Sequence, residues 1–209
     1  PDGKLLIVGN FSTYRLVSRK GIARVSTNGV LDTTFNPGTG ANGAVWAVAV
    51  QNDGKILVGG DFTTFNEVPR NRIVRLNKDG SVDRGFGEGK QGADASVRTI
   101  VVQSDGKVLI GGLFTNFNGR PFQRIVRVNS TGSSAGEIDD AFTLGATTDL
   151  GRSTNGADRA VNVIALQLDG KILVGGDFTQ FNGRTRKGIT RLNADGSIDP
   201  TINFGLGAN

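Results

Sequence analysis

Four arginine–aspartate pairs recur along the chain. Arg24/Asp32, Arg75/Asp83 and Arg191/Asp199 are each eight residues apart, and Arg127/Asp139 twelve. A guanidinium that meets a carboxylate across a tight turn is either a charged binding site or an internal ion pair. Recurrence favours the second reading, because a unique site needs unique residues. Arg75 also lies between Val74 and Leu76 in an apolar run, so its charge needs a partner when buried. The eight residues are therefore expected to be structural staples.

Other reactive chemistry is scarce. The chain has no histidine and no cysteine, which excludes imidazole acid–base catalysis, thiol nucleophiles and disulfides. Catalysis would have to come from a carboxylate pair, as in glycosidases, or from Ser and Lys, and no unique carboxylate pair stands out. The Asp-Gly turns each offer one acid where a calcium loop needs several converging oxygens. The segment 149–158, with Asp149, Asn155 and Asp158, is a slightly better cation candidate. No metal, no cofactor and no enzymatic activity are expected.

The elements that position these residues are repeats. Asp-Gly-Lys begins at residues 2, 53, 105 and 169, so the intervals are 51, 52 and 64 residues. Each triplet leads into a run such as Lys-Ile-Leu-Val-Gly-Gly-Asp-Phe-Thr. An Ile-x-Arg-Leu/Val run follows, and the unit closes at Asp32, Asp83, Asp139 or Asp199. In the second unit, residues 45–51, 55–62, 72–77 and 81–86 read as four short strands. Asn52-Asp53-Gly54 and Lys78-Asp79-Gly80 are three-residue hairpin loops with glycine at the left-handed position. That register sets Leu76 opposite Val82 and Arg75 opposite Asp83. In the third unit Ser133-Ser134-Ala135-Gly136 lengthens the turn, and pairing survives if the insert bulges outward. Four strands in about 50 residues match the period of a propeller blade. The fold is expected to be all-β: a β-propeller or propeller segment of four repeats, each a four-stranded antiparallel blade. The chain reads as one repeat domain, with repeats at 1–44, 45–96, 97–160 and 161–209. The first repeat lacks a first strand, which points to a longer parent propeller. The pairs Phe62/Phe65, Phe114/Phe117 and Phe178/Phe181 are expected in the core between blades.

The pattern DGK[IVL]L[IV]GG-x-F-T-x-FNG…R-[IV]-x-R-L-N-x-DGS-[IVL]-D resembles the delta-60 repeat, a β-propeller repeat of large secreted bacterial proteins. The first unit departs most, at Asn10 and at Tyr14-Arg15. The resemblance implies the propeller architecture and an extracellular or cell-surface setting, and it implies no reaction.

Charge is unevenly placed. The loops after the second strands hold Arg15, Arg19, Lys20, Arg70, Arg72, Arg120, Arg124, Arg184, Arg186 and Lys187, ten of 24 basic residues, against one acid, Glu67. The opposite face carries Asp2, Asp53, Asp79, Asp105, Asp169 and Asp195. The inter-blade segment 143–160 adds Arg152 and Arg159 to the basic side. Arg70, Arg72, Arg120, Arg124, Arg152, Arg184, Arg186 and Lys187 are thus the candidate ligand-binding residues, with acidic polysaccharide as the candidate ligand. A net charge of +5 is too modest for a nucleic-acid partner. No apolar run approaches the roughly 18–20 residues of a membrane span. The expected function is a non-catalytic scaffold or adhesion module. Its partners would be other domains or protein chains of a surface assembly. A lectin-like binder of acidic polysaccharide and a polysaccharide-active enzyme are the alternatives.

Overall fold

The computed structural model describes residues 3–144, 155–202 and 207, so Arg152 and Asp149 lie outside the described residues. The chain builds four blades. Three have the same antiparallel three-stranded sheet: Val45–Val50, Ile56–Gly60 and Ile73–Leu76; Val97–Val102, Val108–Gly112 and Ile125–Val128; Val161–Leu166, Ile172–Gly176 and Ile189–Leu192. The first blade pairs Leu5–Val8 with Ile22–Val25.

The fourth position of each blade is one bridge rather than a strand: Val25 with Leu31, Leu76 with Val82, Val128 with Ile138, Leu192 with Ile198. The aspartate that follows explains the shortening. Oδ1 of Asp83 accepts the backbone N–H of Gly85, and Asp32, Asp139 and Asp199 do the same for Thr34, Ala141 and Thr201. The side chain folds the backbone into a turn where a strand would otherwise extend.

The two hairpin turns form in the register read from the sequence. Gln51 N–H donates to the carbonyl of Lys55, Asn77 N–H to that of Ser81, and Gly54 and Gly80 have φ of 80° and 93°. The loop after each second strand is itself a small hairpin, Thr64–Phe65 with Val68–Pro69 in the second blade. Its turn residues Asn66 and Glu67 both have positive φ, 46° and 64°, as a type I′ turn requires. Phe-Asn-Gly in the third and fourth blades supplies the same turn.

The sheets of the second and third blades have one face toward the preceding blade and one toward the next. Ile56, Val58, Val74 and Leu76 pack with Ile22 and Phe35 of the first blade, whereas Leu57 and Ile73 pack with Val97, Val108 and Ile110 of the third. The three phenylalanine pairs are buried, with ring centroids 5.7–5.8 Å apart. Glycine sets the spacing at one point. A Cβ on Gly59 would lie 2.5 Å from Cγ1 of Val97 and 2.9 Å from Cδ1 of Ile100, so a bare backbone admits the next blade. In the first blade the register puts Val8 there, opposite Ile22 as Gly59 is opposite Ile73. The insert in the third blade turns inward. Residues Gly132–Ser134 form a single 3-10 turn, Ala135 is buried, and its carbonyl accepts the N–H of Gly87.

Candidate functional site

The staples form, and each gains a third member. Nε of Arg75 donates to Oδ2 of Asp83 at 2.7 Å, and Nζ of Lys55 donates to the same oxygen at 2.8 Å. Lys4, Lys107 and Lys171 repeat this at Asp32, Asp139 and Asp199, beside Arg24, Arg127 and Arg191. The lysine of each Asp-Gly-Lys triplet reaches it because Lys55 immediately precedes Ile56–Gly60, the strand paired with Arg75's strand. Burial raises the Asp83 pKa, but the Lys55 ammonium, the Gly85 N–H and Arg75 outweigh it and hold the carboxyl below its ordinary 3.8. Asp139 behaves alike, with burial again opposed chiefly by Lys107 and Arg127. Hydrogen bonds from Thr34 and Lys4 depress Asp32, and those from Lys171 and the Thr201 N–H depress Asp199.

The guanidinium also spans blades. Nη1 of Arg24 donates to the carbonyl of Lys78 at 2.7 Å, that of Arg127 to Ala194 at 2.6 Å, and that of Arg75 to Ser130. Each arginine further lies over a phenylalanine, Phe35, Phe86 or Phe142, 4.7–4.8 Å from the ring centroid. Among the described residues, Arg191 bonds within its own blade, to Asp199, Thr201 and Gln167.

The basic loops are less available than their sequence implies. Nη1 of Arg72 donates to the carbonyl of Ala93 at 3.0 Å and that of Arg124 to Ala157 at 2.8 Å. Both residues have positive φ where the first and fourth blades carry Gly21 and Gly188, so they are clamps onto the neighbouring loop. Arg70, with its side chain 10% exposed, pairs with Glu88 at 2.7 Å, and Arg120 pairs with Asp140 at 2.7 Å. The balancing acids come from the inter-blade loops, which the count of second loops omitted. Among the described residues, Arg184, Arg186 and Lys187 of the fourth blade have no acid partner; Arg186 donates only to the carbonyl of Thr185. The cation candidate Asp158 is engaged by the Thr179 hydroxyl and by the N–H groups of Thr179 and Gln180, and no three acids cluster for a metal among the described residues.

A different group of residues converges at one end of the first strands. In every three-stranded blade the register slips at the second residue of the first strand: between Val45 and Ala47, Val97 and Thr99, Val161 and Val163. The extra residues are Trp46, Arg98 and Asn162, and a bulge re-aims the side chain it carries. The second glycine of each pair permits this approach, since a Cβ on Gly60, Gly112 or Gly176 would lie 2.0–2.1 Å from the carbonyl oxygen of Ala44, Ser96 or Ala160. Trp46 is 51% exposed, and its Nε1–H donates to Oδ2 of Asp61 at 2.7 Å. Nη1 of Arg98 donates to Oδ1 of Asn162 at 2.5 Å, and Asn162 Nδ2 donates to Oδ1 of Asp177 at 2.9 Å. Trp46, Asp61, Ser96, Arg98, Leu113 and Asn162 line an open depression of about 380 Å³. Sequence reasoning missed it. The available signal was the second position: Val-Trp-Ala-Val, Val-Arg-Thr-Ile and Val-Asn-Val-Ile keep small or β-branched residues elsewhere but carry Trp, Arg and Asn there.

Among solved structures, the chain is similar to PorZ, a surface component of the type-IX secretion system of Porphyromonas gingivalis, at 14% identity and a TM-score of 0.45. That likeness covers 83% of this chain and 22% of PorZ, so the chain spans about a fifth of that protein. A gluconolactonase of Xanthomonas campestris matches at 13% identity and a TM-score of 0.33, over 85% of this chain and 66% of the other. A protein of unknown function from Bacteroides caccae matches at 12% identity and a TM-score of 0.30, over 85% and 72%. No curated protein matches the sequence. A family described as a domain of unknown function (DUF5122) β-propeller matches residues 1–35, 51–86, 103–134 and 167–201, one segment in each blade. With its repeats matched in all four blades, the chain belongs to this β-propeller family.

Proposed function

We propose that the chain is a non-catalytic interaction module of delta-60 type within a larger extracellular or cell-surface protein, with other domains or chains of a surface assembly as its partners. The observation that carries this reading is the use made of the recurring carboxylates. Asp32, Asp83, Asp139 and Asp199 each bind an arginine and a lysine and are held well ionised. A general acid needs the opposite environment, one that raises its pKa toward neutrality. No described helix is long and apolar enough to cross a membrane. Incubation with a panel of polysaccharides tests the non-catalytic character: no release of reducing ends is expected, and catalytic release would overturn it.

A second reading, binding of acidic polysaccharide by the basic loops, is favoured by one observation, the absence of acid partners at Arg184, Arg186 and Lys187 among the described residues. It contracts the basic site to the fourth blade. Retention on immobilised polygalacturonate should fall steeply with salt. The triple change R184S/R186S/K187S should abolish it with the fold intact.

A further inference from the structure

We propose that the depression between Trp46 and Arg98 binds a pyranose ring of an uncharged glycan; this names a ligand for the interaction module inferred above and rests on that reading. The indole supplies an apolar face, and its N–H bond to Asp61 fixes its orientation before any ligand arrives. A half-exposed, immobilised tryptophan spends no further rotamer freedom on binding. Leu113, 37% exposed, extends the apolar floor.

The polar rim fits hydroxyl groups. Each sugar hydroxyl donates one hydrogen bond and accepts others, so it needs both kinds of partner beside the apolar face. Asp61 supplies carboxylate acceptors. Arg98 is exposed and has guanidinium N–H groups beyond the one given to Asn162. The formal charges of Asp61 and Arg98 cancel, and Asp177 stands behind Asn162, so the rim does not select an anion. A volume of about 380 Å³ lies at the lower end of ligand pockets, about 300–1,000 Å³.

The placement argues for recognition over architecture. Trp46, Arg98 and Asn162 occupy one bulge position in three successive blades, yet they differ in size, charge and hydrogen-bonding capacity. Residues with a shared structural duty recur, as the Arg–Asp–Lys triads do. These do not recur, and all three converge on one depression.

Trp46 is the only tryptophan in the chain, so emission excited at wavelengths that tyrosine does not absorb reports on this site alone. The test titrates the whole chain with cellohexaose, xylohexaose and chitohexaose, with oligogalacturonate as the charged arm. A saturable emission change with at least one neutral oligosaccharide is expected. Arg98→Ala should weaken it by about tenfold or more, with an unchanged melting temperature. By calorimetry, Trp46→Phe should retain binding and Trp46→Ala should lose it. The proposal is overturned if no neutral oligosaccharide saturates at millimolar concentration, if only oligogalacturonate responds, or if Arg98→Ala leaves the response intact. Binding accompanied by reducing-end release upholds the site and sinks the non-catalytic reading. An absence of all binding sinks the site and leaves that reading standing.

Discussion

The blade interfaces and the mouth of the first strands use the same residue types to opposite ends. At the interface, Arg75 is 5% exposed and every polar group it meets is a fixed protein atom: Asp83, Gln51 and the carbonyl of Ser130. At the mouth, Arg98 is exposed and holds one side-chain amide. The interface arginine recurs in all four blades, whereas the mouth residue differs in each of the three blades that have it. In a repeat protein, what recurs maintains the stack, and what departs from the repeat at an exposed, convergent position is free to carry specificity.

Acid should separate the two regions most strongly, because it addresses all four triads together. Their carboxyls titrate lower in the folded chain than in the unfolded one. The unfolded chain therefore takes up protons first as pH falls through the ordinary carboxylate value of 3.8. The triads' stabilisation is complete above that range and is lost progressively below about pH 4. The melting temperature should be flat from neutrality to about pH 5 and then drop. A profile that stays flat to pH 3 would remove the triads from the account of stability.

Single substitutions rank below that. Asp83→Ala strands the buried Arg75 guanidinium and should cost about 3–5 kcal/mol, read by chemical denaturation. Gly111→Ala places a Cβ 2.7 Å from Cγ1 of Val161 in the next blade and should cost about 1–3 kcal/mol by overpacking. If Gly111→Ala proves neutral, the blades are not packed closely enough for glycine to set their spacing. Arg98→Ala is the smallest of the series, within about 0.5 kcal/mol, while it removes glycan binding. A large loss of stability there would erase the distinction between the two regions.

Much of the scaffold was legible because periodicity exposes it. Arg-to-Asp spacing, the Asp-Gly turns and the apolar runs recur in phase, and the observed register of Arg75 with Asp83 follows from counting across a three-residue loop. Lys55 escaped because its triplet reads as turn chemistry, and only strand pairing shows that its ammonium reaches Asp83. The fourth strand of each blade shrank to a bridge because Asp83 caps its own downstream backbone, a local competition that β propensity does not reveal. The pairing of Arg70 and Arg120 was not legible because Glu88 and Asp140 lie in a different loop from the arginines they meet. Trp46 escaped for the opposite reason: its signal is a departure from the repeat, and the bulge that aims it arises from backbone approach at Gly60.

The arginine that crosses to the next blade gives the stack a direction. Arg24 holds the turn of the second blade, Arg75 that of the third and Arg127 that of the fourth, always from the earlier blade to the later. Cooperativity in such a stack is a nearest-neighbour quantity. Fraying the first blade releases a carbonyl acceptor in the second, whereas fraying the fourth leaves the Arg127 guanidinium short of a partner. The second event is the costlier, since it strands a charge and not a carbonyl that water can serve. Hydrogen exchange would register that polarity as turn amides at 193–197 protected more strongly than those at 26–30.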